Sequence, residues 1–133
     1  MFDAEGTFLL PPPAGWEEAR TVAWALVEAA TPADGYTIDH AVAVADLSRL
    51  VGTEMGLGEG ALKALSLGGL LHDLGKLGVA QSILHKVGPL ARWEAQILEG
   101  HPDIGARMVE PLGCLRRVAL AIRHHHERYE GGG

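Results

Sequence analysis

The sequence predicts an all-helical bundle. Three observations carry that prediction. Apolar residues recur at three- and four-residue spacing through several windows, no window alternates with the period of a strand, and glycine or proline separates one periodic window from the next. At 133 residues with 47% hydrophobic content, the chain is long enough for one buried core and too short for two ordinary domains.

Met1 to Gly15, with Pro11, Pro12 and Pro13 in a row, reads as an extended lead-in, and residues 16–133 as one helical domain. Trp16 to Ala30 has helical spacing, and Pro32 with Asp34-Gly35 ends it. Thr37 is placed to cap a second helix running to about Met55. Gly56, Gly58 and Gly60 mark a turn before a third helix, from Ala61 to about Leu74. Gly75, Gly78 and Gly88-Pro89 then break the chain into short pieces, with one helical turn around Ser82 to His85. Two further helices fit Ala91 to Glu99 and Pro102 to Val109, since proline is tolerated at the first helical position. The last is expected from about Leu115 to His126, for five to seven helices in all.

Composition narrows the function. A net charge of -6 argues against broad electrostatic capture of nucleic acid, so no duplex partner is expected. A small phosphate ligand stays open, because a metal ion or a lysine can reverse the field inside a pocket. No apolar run approaches bilayer length, and Met1 to Pro13 lacks the basic residues and long apolar core of a secretory signal. A single cysteine, Cys114, precludes an internal disulfide framework and fits a reducing cytoplasm, where the protein is expected.

Of seven histidines, five carry the candidate chemistry. In the second helix His40, Val44, Leu47 and Val51 share one face; in the third, Leu62, Leu65 and Gly69 lead on to His72, with Asp73 beside it. In the last, Leu115, Val118 and Ile122 continue into His125 and His126, and His101 stands at the start of the preceding helix. Imidazoles aimed at a core require partners, because an unpaired buried polar group costs roughly 1–3 kcal/mol. A shared metal ion supplies such partners. Taken singly, each histidine is better explained by an ordinary hydrogen bond; it is their combination that points to metal. Imidazole with carboxylate and no cysteine cluster suits iron, manganese, nickel or zinc.

These residues fall into recognisable motifs: Tyr36-Thr37 with His40 and Val44, then Leu71-His72-Asp73-Leu74-Gly75-Lys76. Ile83-Leu84, Lys86, Gly88, Leu90 and Glu94 follow, then His101-Pro102 with Gly105, and His125-His126-Glu127-Arg128. Their order resembles the HD-GYP domains, a family of HD-superfamily metal-dependent phosphohydrolases. The resemblance implies a helical fold and two divalent metal ions, typically iron or manganese. It places one metal on His40, His72 and Asp73, and the other on Asp73, His101, His125 and His126. Asp73 would bridge them. Family members with three metals use a glutamate where this chain has Tyr36, so two are expected. The implied activity is hydrolysis of cyclic di-GMP, a bacterial second messenger. Two bridged cations lower the pKa of a bridging water, present hydroxide to phosphorus and neutralise charge on the phosphodiester. Lys76, one turn beyond His72, would place an ammonium near a phosphate oxygen.

The pattern breaks at Glu130-Gly131-Gly132-Gly133, where the family continues into its Gly-Tyr-Pro element and a later metal-binding aspartate. A domain incomplete at its C-terminus is therefore expected, with partial occupancy favouring the site of His101, His125 and His126. Apolar surface left uncovered by the missing helices would favour a homo-oligomer. Two other functions stay open: a phosphohydrolase of another nucleotide, and a catalytically silent signalling or interaction module.

Other residues read as structural. His85 lies in the glycine-rich connector, and His124 is turned about 100° from His125 on a helix. Cys114 reads as a buried inert thiol, and Trp16, Trp24 and Trp93 as packing residues.

Overall fold

A computed structural model describes residues 15–31 and 37–132. The expected extended lead-in, but for Gly15, lies outside them, as do Pro32 to Tyr36. In chain order the helices are α1 (Trp16–Ala30), α2 (Ile38–Glu54), α3 (Glu59–Leu71), α4 (Gln81–Leu84), α5 (Arg92–Glu99), α6 (His101–Val109) and α7 (Val118–Arg123). Short 3-10 turns at Leu74–Gly78 and Gly113–Leu115 precede α4 and α7, and no strand occurs among the described residues. The fold is all-α, as the periodicity predicts. No helix among the described residues is long and apolar enough to cross a membrane.

The core is built from narrow stripes. α1 buries Ala19, Ala23, Val27 and Ala30, a row of mostly small side chains on one face. α3 buries Leu67, Leu70 and Leu71, and Leu74, Val109, Leu115, Val118 and Ile122 close the centre. Small residues bring the helices into contact. A methyl at Gly69 would lie 2.9 Å from the Ala45 Cα, so α3 crosses α2 almost backbone to backbone.

Gly75 does the same for the 3-10 turn after α3. A methyl there would sit 1.8 Å from the His101 carbonyl oxygen and 2.6 Å from the Gly105 nitrogen. Only glycine lets this turn lie flat on the start of α6. Sequence spacing thereby becomes tertiary proximity: the end of α3 meets the start of α6.

Four expectations need correction. The face of α2 carrying His40, Val44, Leu47 and Val51 does not line the core; Leu47 is 60% exposed and Val51 56%. The buried face is Ala41, Ala45 and Gly52, because small residues allow the close approach to α3. The third helix ends at Leu71, short of Leu74. The last is no single helix from Leu115 to His126: a 3-10 turn covers Gly113–Leu115, and α7 stops at Arg123. Of the tryptophans, Trp16 packs on the core, whereas Trp24 is 38% and Trp93 59% exposed.

Candidate metal centre

Each histidine of interest stands at the end of a helix. Thr37 caps α2, its Oγ1 accepting from the His40 backbone N–H at 3.3 Å, which puts His40 in the first turn. His72 caps the C-terminal end of α3, with Asp73 next. His101 opens α6, followed by Pro102, and His125 and His126 lie in the turn beyond α7. These ends converge. Ring centroids lie 5.2 Å apart for His40–His72, 5.2 Å for His72–His125 and 5.1 Å for His101–His125. His126 completes the cluster, 4.1 Å from His125 and 5.2 Å from His101.

One local device orients three of the rings. Nδ1 of His72 lies 2.7 Å from the Gly69 carbonyl, Nδ1 of His101 2.7 Å from that of Leu98, and Nδ1 of His125 2.7 Å from that of Ile122. A carbonyl only accepts, so each Nδ1 donates and each Nε2 of a neutral ring offers a bare lone pair. The carbonyls are available because the helices end there. That of Leu98 would otherwise face the nitrogen of Pro102, which has no hydrogen. Such second bonds fix tautomer and ring direction in metal-binding histidines.

The bare nitrogens all point at acceptors. His101 Nε2 is 3.2 Å from His125 Nε2 and 3.2 Å from Asp73 Oδ1, while His72 Nε2 is 3.3 Å from Asp73 Oδ2. Neutral rings so arranged are lone pair against lone pair, and a cation between them, proton or metal, relieves it. Burial acts to raise the Asp73 carboxyl, but hydrogen bonds from His101 and His72, made when their Nε2 atoms carry a proton, and from Lys76 outweigh it and hold that group well below the usual carboxylate range. Burial acts to lower His72, and its bonds with Asp73 and Gly69 more than reverse this, leaving it raised. Burial and the neighbouring imidazoles push His125 down to about 4, and burial with His101 lowers His126. His125 is thus neutral at physiological pH, with its Nε2 lone pair turned toward His101.

The donors fall into two sets. Those of His40, His72 and Asp73 lie within 4.8 Å of one another, and so do those of His101, His125 and His126. Donors about 2.1 Å from one ion stand roughly 3–4.2 Å apart, so small adjustments suffice to close either set. Nitrogen and carboxylate donors without thiolate fit borderline and hard divalent ions. Asp73 lies between the sets, one oxygen toward His72 and the other toward His101.

A sequence profile of the HD domain matches residues 37–132, which include all six of these residues. The chain belongs to the HD domain family. It is 40% identical over 103 residues to a cyclic di-GMP phosphodiesterase of Pseudomonas aeruginosa, covering 75% of this chain and 24% of that protein. With the 3'3'-cGAMP-specific phosphodiesterase 1 of Vibrio cholerae it shares 32% over 119 residues, 90% of this chain and 28% of the other. With a cyclic di-GMP phosphodiesterase of Thermotoga maritima it shares 34% over 102 residues, 75% of this chain and 28% of the other. The chain thus spans about a quarter of these relatives.

Around the HD pair, His72 and Asp73, the remaining residues take distinct places. Lys76 donates to Asp73 Oδ2 at 2.8 Å, so its ammonium lies against the carboxylate. His85 is exposed and bonds to Gln81 at 2.8 Å, and His124 is exposed near Glu127. Cys114 packs against the core, away from both donor sets. A cleft of about 440 Å³ adjoins the cluster, lined by Val44, Ser48, Gly69, Ala121, His72 and His125.

Two features of this HD domain escape sequence reasoning. Glu94 is buried, accepts from the Ala91 N–H at 2.6 Å and pairs with Lys86, tying the glycine-rich connector to α5. The Lys86 and Glu94 motif positions were visible, but not their pairing. Arg123 bonds to Asp103 and Glu110 across the α6–α7 contact, and single-residue charges give no signal for such a tie.

Proposed function

We propose that this HD domain is the metal-binding core of a phosphodiesterase acting on a cyclic dinucleotide. His40, His72 and Asp73 would hold one divalent ion and His101, His125 and His126 the other, with Asp73 shared. The observation that carries the reading is the pair of donor sets on either side of one carboxylate, with imidazole lone pairs turned inward. Relatives named for cyclic di-GMP and for cGAMP support the substrate class. Iron or manganese is the expected occupant.

Bound there, two divalent ions would supply Lewis acidity toward a phosphoryl oxygen and a water of lowered pKa. The chain's own residues do the rest. Asp73, held ionised, offers an oxygen to each donor set, and backbone carbonyls hold three of the rings in place. Lys76 is 30% exposed at its side chain, so its ammonium can turn from Asp73 to a phosphate oxygen. The adjoining cleft has room for part of a nucleotide.

The test begins with elemental analysis of protein purified without added metal. About one to two equivalents of iron or manganese are expected, as in two-metal hydrolytic sites. Cyclic di-GMP, 3'3'-cGAMP and linear dinucleotides are then assayed with manganese or ferrous iron. No metal after reconstitution sinks the reading; metal without cyclic dinucleotide turnover shifts it to another nucleotide. The exposed apolar face of α2, with Leu47, Leu50, Val51 and Met55, supports the self-association expected from sequence. A clean monomer by light scattering at high concentration removes that part.

A further inference from the structure

α7 has six residues, too few to hold a helix by themselves. Two of the proposed ligands, His125 and His126, nevertheless sit in the turn just beyond it. The His125 bond to the Ile122 carbonyl orients the ring but leaves open where α7 lies. His101 stands on a different helix, so the His101–His125 separation depends on how α6 and α7 are joined.

Arg123 joins them. Its Nε donates to Asp103 Oδ1 at 3.2 Å and its Nη2 to Glu110 Oε1 at 2.8 Å. Asp103 and Glu110, the C-cap residue of α6, lie seven residues apart on one side of that helix and roughly 10 Å apart along its axis. A planar guanidinium spanning both opposes sliding and tilting together, which a lysine ammonium cannot do equally. The clamp is next to the site, since Asp103 is two residues from His101 and Arg123 two from His125. Arg107, 2.7 Å from Asp103, extends it into a network of four charges, which outperforms an isolated exposed pair.

We propose that Arg123 is the positioning residue of the second donor set, fixing His125 and His126 relative to His101. The inference rests on reading these histidines as metal ligands.

Cobalt(II) titration of the full chain, followed by calorimetry and visible absorption, tests it. His40→Ala isolates the second donor set and His125→Ala the first. Arg123→Met keeps the aliphatic stem and removes the fork; Arg123→Lys keeps the charge. In the His40→Ala background, Arg123→Met should weaken cobalt binding about 10- to 100-fold and alter its absorption band, with Arg123→Lys recovering part. In the His125→Ala background neither should change binding, and Arg20→Ala, at an exposed pair with Glu17 on α1, should behave as the parent in both. Equal weakening in both backgrounds, with a lowered urea midpoint, gives Arg123 a general structural role and overturns the proposal. Unchanged binding in both also overturns it. If Arg123→Met fails to fold, Arg123→Lys carries the same comparison. A parent chain that takes up no cobalt removes the ligand reading and this inference together, whereas normal parent uptake with unaffected Arg123 variants removes the inference alone.

Discussion

Nε2 of His101 faces Nε2 of His125 across 3.2 Å, while each ring gives its Nδ1 hydrogen to the backbone carbonyl three residues earlier. The pair has no hydrogen to share when both rings are neutral. A cation between them turns a repulsive contact into two favourable ones. Metal should therefore stabilise the fold: at a free ion concentration one hundred times Kd, linkage gives about 2.7 kcal/mol. Thermal melts with and without manganese or zinc measure this. His125→Ala should lose the part of the shift that belongs to the second donor set, and an unchanged shift would count against that site.

Asp73 and Lys76 should separate. Asp73→Ala removes the shared carboxylate and should abolish both metal binding and turnover. Lys76→Ala frees Asp73 Oδ2 of its 2.8 Å partner, so metal affinity should hold or tighten. Turnover should fall by roughly 10²-fold if its ammonium stabilises charge in the transition state. Plasma mass spectrometry and steady-state kinetics on both variants decide this; equal metal loss would make Lys76 structural.

Acidification should destabilise the metal-free chain. His125 has a folded value of about 4 against 6.5 ordinarily, so between these values the unfolded chain binds more protons. Its contribution is present above pH 6.5 and lost as pH falls toward 4, and His126 acts in the same direction. His72, raised, works oppositely, but its contribution is already complete below 6.5 and disappears only as pH rises through its folded value. Asp73, lowered, acts only below its ordinary 3.8. Urea midpoints in chelator should therefore drop from pH 6.5 to pH 4.5, and His125→Gln should flatten the dependence. A flat parent profile contradicts the partial burial of His125.

Gly75→Ala should disturb fold and site together. The added methyl meets the His101 carbonyl at 1.8 Å, and both partners are backbone. Overpacking of this kind costs about 1–3 kcal/mol, more where backbone cannot yield. Urea unfolding should show the loss, and metal stoichiometry should fall with it because His101 must move.

Much of this was legible in the sequence because the histidines mark helix ends. Thr37 announces the start of α2, and α1 runs from Trp16 to Ala30 as its spacing predicts. Periodicity misses the buried face of α2 because it gives an apolar stripe without its partner; Ala41, Ala45 and Gly52 are inconspicuous, yet only they admit α3. Periodicity overruns the end of α7 for a different reason. His125 Nδ1 takes the Ile122 carbonyl that a continuing helix would offer to the His126 nitrogen. The sequence has no proline or glycine there to signal the stop.

The three imidazole-to-carbonyl bonds, from His72 to Gly69, His101 to Leu98 and His125 to Ile122, each close within four consecutive residues. Each ring is therefore aimed by its own neighbourhood, and the tertiary fold has only to deliver three ready-made tips to one place. Ring rotation is then largely frozen before any ion arrives, which lowers the ordering entropy that capture demands. The same economy makes the arrangement transferable: a helix end bearing a histidine three residues past a released carbonyl is a self-contained building block for a designed dinuclear centre.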